Sequence, residues 1–148
     1  MVNLSVSKTF SDRHTAFIDD CVNALFDSYK GDYLIIIDSK KFIDDDGSHA
    51  GFCFGDDEES VVDIATHFYY EDGEEARYTP VEIAMNLAHE LVHAKQFAHG
   101  QINMVDHVWR HGKETIDCTG LKYAETPWEI EAYEYEKFLT ELFWREDD

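Results

Sequence analysis

The sequence predicts an α+β fold in one domain spanning residues 1–148, and three observations lead there. The length allows one real hydrophobic core and is too short for two ordinary domains. Three segments carry apolar residues at helical spacing, near the N-terminus, after Thr79 and after Thr126. Between the first and second of these lie short β-branched or alternating segments separated by acidic and glycine-containing turns, which predict a small, mostly antiparallel, twisted sheet.

Ser11 opens the first helix, where Phe17, Cys21, Leu25 and Ile18, Val22, Tyr29 recur on one face before Gly31 ends it. This is a packing helix without chemistry. Tyr33 to Asp38 is a buried strand, and Asp44-Asp45-Asp46-Gly47 reads as a hairpin turn into Ala50 to Gly55. The acidic triplet fails as a calcium loop, which would need an acidic ligand at Phe42 and a glutamate at Cys53. Val61 to Tyr69 alternates as a further strand, leaving His67 at a surface or edge. Gly73 then marks the loop before the central helix.

Charge and cysteine content exclude several classes. Thirty-two acidic residues against twelve Lys and Arg give a net charge of −20. Such a surface repels phosphates and anionic lipid, so nucleic acid and membranes are not expected partners. Met1 to Phe10 lacks the basic start and apolar run of a signal peptide, and Tyr33 to Ile37 is far too short to cross a bilayer, so the chain reads as soluble and cytoplasmic. Cys21, Cys53 and Cys118 are odd in number and lack CxxC spacing, which predicts reduced, mostly buried thiols.

The chemistry lies in two helices with the same start. Thr79-Pro80-Val81-Glu82 and Thr126-Pro127-Trp128-Glu129 each read as a capping box, with threonine as N-cap, proline at the first helical position and glutamate reaching back to the cap amide. The first helix runs from Pro80 to about Ala98 and contains His89-Glu90-Leu91-Val92-His93. Histidines four apart lie on one stripe, about 6 Å from each other, with a carboxylate alongside; this is the spacing for a catalytic zinc ion. Ile83, Leu87, Leu91, Ala94 and Ala98 form a core stripe roughly opposite the two imidazoles.

A third ligand is required. His99 continues the segment as His89-Glu90-x-x-His93-x-x-Gln96-x-x-His99, the position of the third metzincin histidine. That class has glycine where this chain has Gln96, and the glycine is what lets the chain leave the helix; here His99 stays helical, about 15 Å along the axis from His89. Met104 is also too close to serve as the methionine turn of that class. The helix after Pro127 offers the other candidate. Trp128, Tyr135, Phe138, Leu139 and Leu142 form its apolar stripe, Glu131 falls in the centre, and Glu129 is occupied by its cap. Glu131 is therefore preferred to His99, against the alternative of a core glutamate hydrogen-bonded to Tyr or Trp.

The metal motif followed by Thr126-Pro127-Trp128-Glu129-Ile130-Glu131-Ala132-Tyr133-Glu134 resembles the gluzincin metallopeptidases, in particular the minimal SprT-like, IrrE-like and phage-encoded ones. The resemblance covers about residues 79–136. It implies a zincin-like fold, a sheet packed with an N-terminal helix, the central HExxH helix and a C-terminal ligand-bearing helix, and it implies Glu131 as third zinc ligand. It also implies an edge strand to which an extended peptide adds, for which Val61 to Tyr69 is the candidate.

The expected function is hydrolysis of peptide bonds by a zinc metalloendopeptidase holding one Zn2+ per chain on His89, His93 and Glu131, with Glu90 as general base. His107, His111 and Tyr123 are candidates for stabilising the oxyanion. Trp109 either walls the cleft or anchors a hairpin, and Gln96 and Asn86 share the imidazole stripe as candidate supports for the ligands. The expected partner is a peptide or protein substrate, and a monomer is compatible with the sequence. A phage or mobile-element origin, with action in the host cytoplasm, fits the small size. Two alternatives stand beside this reading: an acidic, DNA-mimicking interaction protein, and a zincin fold that binds peptides with little turnover.

Overall fold

The computed structural model describes residues 1–103 and 107–144; Met104 and the Glu146-Asp147-Asp148 tail lie outside the described residues. The fold is α+β, three helices on small sheets. The chain begins with a strand that periodicity did not announce, β1 (Val2–Val6), followed by α1 (Asp12–Leu25) and β2 (Tyr33–Lys40). Ser11 caps α1, its hydroxyl accepting the His14 amide at 3.1 Å. The helix ends at Leu25, before Gly31. A helical crossover between two strands places them parallel, and β1 pairs with β2 in that sense.

β3 (Gly51–Gly55) and β4 (Glu59–Ala65) complete the main sheet in the order β1-β2-β4-β3. The expectation of a mostly antiparallel sheet is corrected here, since β2–β4 is also parallel and only β3–β4 is antiparallel. The hairpin turn is not the one at Asp44. Asp44 to Gly47 does turn, with the Gly47 amide donating to the Asp44 carbonyl at 3.1 Å, but it belongs to a longer crossing loop. The β3–β4 turn is set by Asp56, whose carboxylate accepts the amides of Glu58 and Glu59 at 2.8 and 3.0 Å.

The segment Val61 to Tyr69 breaks in two. Beyond Ala65 the chain leaves the sheet, the Thr66 amide donates to the Lys40 carbonyl, and β5 (His67–Tyr69) forms a small ribbon with β6 (Glu75–Arg77). β4 is thus an interior strand, and the edge nearest the central helix is β3. Its side chains alternate, with Phe52 and Phe54 exposed on either side of the partly buried Cys53.

α2 (Pro80–Ala98) packs on β3 and β4, and α1 and α3 (Pro127–Phe143) pack on α2. Tyr33, Ile35 and Ile37 of β2 and Val62 and Ile64 of β4 meet Phe17, Ile18 and Cys21 of α1 and Leu87 and Leu91 of α2 in the main core. Each such buried aliphatic or aromatic side chain contributes on the order of 1.5–3 kcal/mol. A second, smaller core joins Phe97 at the end of α2, Trp128 at the start of α3, and a ribbon of β7 (Ile102–Asn103), β8 (Val108–His111) and β9 (Glu114–Asp117) through Ile102, Trp109 and Cys118. Trp109 is thereby the anchor of a hairpin. All three cysteines are free thiols. Among the described residues no helix is long and apolar enough to cross a membrane.

Candidate metal centre

α2 begins as its sequence dictates. Thr79 Oγ1 accepts the Glu82 amide at 3.3 Å, Glu82 Oε1 accepts the Thr79 amide at 2.9 Å, and Pro80 supplies the first helical residue. Ile83, Leu87, Leu91, Ala94 and Ala98 are all buried, and the fixed register turns His89 and His93 toward α3.

The same four-residue pattern at α3 behaves differently. The Thr126 amide donates to the Tyr123 carbonyl at 3.3 Å and so is not free for Glu129 to accept, and the Thr126 hydroxyl, which donates to the same carbonyl at 2.8 Å, caps no amide of α3. Glu129 is released from the cap and is 1 % exposed. Its Oε1 lies 3.0 Å from His89 Nε2 and its Oε2 2.9 Å from His93 Nε2, while the two Nε2 atoms are 3.3 Å apart. One ligand atom from each of His89, His93 and Glu129 falls within 4.8 Å of the others.

Glu131, the residue expected in this place, is elsewhere. It accepts from Lys95 Nζ at 2.9 Å and from Gln96 Nε2 at 3.1 Å, an ion pair between α2 and α3 beside the cluster. The face of α3 explains the difference. Its buried side carries Trp128, Glu129, Ala132, Glu136 and Leu139; of the expected core stripe Trp128 and Leu139 are buried, whereas Tyr135, Phe138 and Leu142 are exposed. Glu129 and Glu136 are seven residues apart and hence on one face. A glutamate pair at that spacing, bracketing Ala132, is the signal in the sequence that points to the buried side.

Both imidazoles are oriented from behind. Glu136 Oε1 is 3.1 Å from His89 Nδ1 and, as a carboxylate, accepts its proton. Gln96 is fully buried, and its amide orientation is fixed by its neighbours. Nε2 donates to the Trp128 carbonyl at 3.0 Å and to Glu131, both acceptors only, so Oε1 faces His93 Nδ1 at 2.8 Å and receives its proton. Each ring is left with Nε2 directed at Glu129, the arrangement by which a ligating histidine is normally held.

The donor set fits a tetrahedral zinc ion. Bonds of about 2.0–2.1 Å at tetrahedral angles separate ligand atoms by about 3.3 Å. The two Nε2 atoms are 3.3 Å apart, as such a geometry requires, each faces a different oxygen of Glu129 at 2.9–3.0 Å, and one ligand atom from each residue falls within 4.8 Å of the others. Without a cation, the same contacts require protonated rings. Burial disfavours the charge on His89, but the carboxylates of Glu129 and Glu136 outweigh it and raise its pKa to about 10. His93 moves up similarly: burial opposes its charge and Glu129 overcomes it. Burial acts to raise Glu129, and the two histidines reverse this and bring it to about 2. Two positive rings with nitrogens 3.3 Å apart repel each other, and a cation accepting both lone pairs removes that conflict.

Glu90 is buried next to this cluster, its pKa raised by burial against the lowering influence of His93 and His89. Gly51 of β3 lies directly against it: a Cβ there would come within 2.8 Å of Glu90 Cγ and 2.9 Å of Oε2. The cleft beside Glu90 is bounded by Gly51 and Cys53 on one side and by Tyr123 and Trp128 on the other. Of the three oxyanion candidates, Tyr123 is at the cluster, 68 % exposed at the cleft mouth; partial desolvation of its hydroxyl and the adjacent charge of Glu129 raise its pKa and keep the phenol protonated. His107 and His111 are exposed in the β7–β9 ribbon, His107 with φ of 51° and His111 stacked on Trp109. His99 caps the far end of α2, its ring on Tyr29 and its Nδ1 on the Lys95 carbonyl, away from the other histidines. Asn86 lines the outer cleft next to His89 and Glu90. No protein-family model, curated protein or solved structure matches this chain.

Proposed function

We propose that this chain is a zinc-dependent metallopeptidase of the gluzincin type, in which His89, His93 and Glu129 hold one zinc ion and Glu90 is the general base. The observation that supports it most is the convergence of three donors from two helices, each imidazole held from behind, with a further acid, Glu90, buried beside an open cleft. The reading keeps the two histidines and the base expected from the sequence and moves the third ligand from Glu131 to Glu129.

Zinc bound there supplies Lewis acidity toward a water and a carbonyl oxygen. Glu90 takes the proton of the attacking water and passes it to the leaving nitrogen; a carboxyl raised by burial is a stronger base than an exposed one and a competent acid in the second step. Glu136 and Gln96 hold the two rings in one tautomer through the reaction. Tyr123, protonated beside Glu129, is the donor we assign to the developing oxyanion. The substrate is a peptide or protein, and the acidic surface argues against one presented on nucleic acid.

Elemental analysis of the purified protein tests the reading, with one zinc per chain expected. Glu90→Gln should keep that zinc and lose about 10²- to 10⁴-fold in peptide hydrolysis. Protein without stoichiometric zinc, or a Glu90→Gln variant as active as the parent, would end it.

A further inference from the structure

A second hollow, of about 240 Å³, shares no residue with the metal centre and lies at the carboxyl ends of the three parallel strands. Thr9 after β1, Ser39 in β2 and Thr66 after β4 all line it. Crevices outside the carboxyl ends of parallel strands are where such sheets bind small ligands. His14 of α1 and Pro80 of α2 form a wall and are fastened to each other. The Pro80 carbonyl only accepts, so His14 Nε2 donates to it at 2.9 Å, and Nδ1 takes the proton of the Ser11 hydroxyl at 2.8 Å. That ring is therefore neutral.

Among the described residues no Asp or Glu lines this hollow, in a chain where acids outnumber Lys and Arg by 32 to 12. Arg77 does line it. Lys40 and Lys41, at the end of β2, pair with Asp63 and Glu75, whereas Arg77 has no ion pair or side-chain hydrogen bond among the described residues. Its guanidinium is a free fork of donors, matched to phosphate oxygens. A hydroxyl chain supplies a further donor. Ser7 Oγ is 2.9 Å from Thr9 Oγ1, which is 2.5 Å from Ser39 Oγ. Three hydroxyls carry three protons and the chain uses two, so when it runs from Ser7 to Ser39 the last proton serves an acceptor in the hollow. Phe10, Tyr78 and Ile83 add an apolar side. A cavity of roughly 150 Å³ holds a six-carbon ring, which leaves room here for a phosphate beside one. A cation would find no counter-charge.

We propose that this hollow is a binding site for a small phosphomonoester, its phosphate on Arg77 and the Ser39 hydroxyl and its organic part on Phe10, Tyr78 and Ile83. The assignment does not depend on the zinc reading. A net charge of −20 repels dianions from the rest of the surface, so binding of one is informative in itself. Phenyl phosphate, inorganic phosphate and phenol are each titrated by calorimetry into the full chain. Phenyl phosphate should bind about 10- to 100-fold more tightly than inorganic phosphate, because its ring is buried as well, and phenol should bind most weakly. Arg77 is exposed and unpaired, so Arg77→Gln should fold as the parent does and weaken phenyl phosphate by about 10-fold or more while leaving phenol unchanged. The same titration in a chelator should return the parent affinity. No binding of phenyl phosphate, or binding that Arg77→Gln leaves intact, overturns the site. So does binding that disappears in chelator, which would place the phosphate at the metal centre. Inorganic phosphate bound as tightly as phenyl phosphate would overturn the ester and leave free phosphate as the ligand.

Discussion

Two helices of this protein open with the same four-residue pattern, Thr-Pro-x-Glu, and use the glutamate for opposite purposes. At α2, Glu82 closes a capping box on Thr79 and stays at the surface. At α3, the short 3₁₀ turn Tyr123–Glu125 runs straight into the helix, and its carbonyl at Tyr123 takes both polar groups of Thr126. Glu129 then has no cap to complete and turns inward to the histidines. A local motif states which groups could bond; the preceding residues decide whether they do.

The largest effect that separates the two glutamates comes from the same substitution at each. Glutamine at this helical position still completes a capping box, so Glu82→Gln should leave zinc content and stability unchanged within about 0.5 kcal/mol. Glu129→Gln replaces an anionic donor with a neutral amide, and zinc affinity should fall by at least about 100-fold. Glu131→Gln, which weakens the ion pair with Lys95 but keeps an amide oxygen to accept from Gln96 Nε2 and leaves the three donors in place, should bind zinc as the parent does. Competition with a chromophoric chelator measures all three. Zinc loss in Glu131→Gln with retention in Glu129→Gln would restore the ligand expected from the sequence.

What could be read from sequence follows the same division. α2 was legible to the residue, since its cap, its apolar stripe and the metal motif all agree on one orientation. α3 was legible as a helix but not in its rotation. Hydrophobicity points to a stripe of Trp128, Tyr135, Phe138, Leu139 and Leu142, of which Trp128 and Leu139 are buried; the rest of the buried side is set by polar groups that find partners across the interface: Glu129 and Glu136 on His89, Gln96 on the Trp128 carbonyl. The amphipathic pattern is a reliable guide when burial is apolar, and it misleads here, by roughly a quarter turn, because α3 buries a polar cluster. The sheet was expected but its pairing was not, for a related reason: strand segments are visible singly, but the β2–β4 parallel pairing depends on partners distant in the chain.

Gln96 joins the two helices and gives the next effect in size. Gln96→Leu removes the acceptor of His93 Nδ1–H and the donor to the Trp128 carbonyl, the residue before Glu129. Loss of such a support typically lowers metal affinity 10- to 100-fold, and that is the expectation here, whereas Gln96→Glu, able to accept from His93, should recover part of it. If Gln96→Leu loses stability without losing zinc affinity, the residue only packs.

The chelated protein should betray the cluster by its pH dependence. His89 is raised from 6.5 to about 10 in the folded state, so its contribution is complete below pH 6.5 and is lost as pH climbs from there toward 10. Glu129 is lowered from 4.5 to about 2, so its contribution is present above pH 4.5 and is lost as pH falls toward 2. Urea midpoints in a chelator should therefore be highest between about pH 4.5 and 6.5. Added zinc, which binds the neutral rings, should hold the midpoint up on the alkaline side. A midpoint in chelator that stays flat from pH 6 to 10 would show that the histidines are not charged against Glu129 when metal is removed.

The smallest effect tests the rotation of α3 itself. Phe138 is 57 % exposed and Leu142 41 % exposed, though both stand in what sequence periodicity marks as the core stripe. A buried phenylalanine truncated to a small residue costs about 3–5 kcal/mol. On the rotation described here Phe138→Ser should cost well under 1 kcal/mol, because the ring leaves little buried surface behind. Leu139→Ala, one position away and 2 % exposed, should cost about 2–5 kcal/mol. The pair of denaturation midpoints reads out the helix face directly: if Phe138→Ser proves the more damaging, α3 is turned toward the stripe that would bring Glu131 inward, and Glu129 loses its place at the metal.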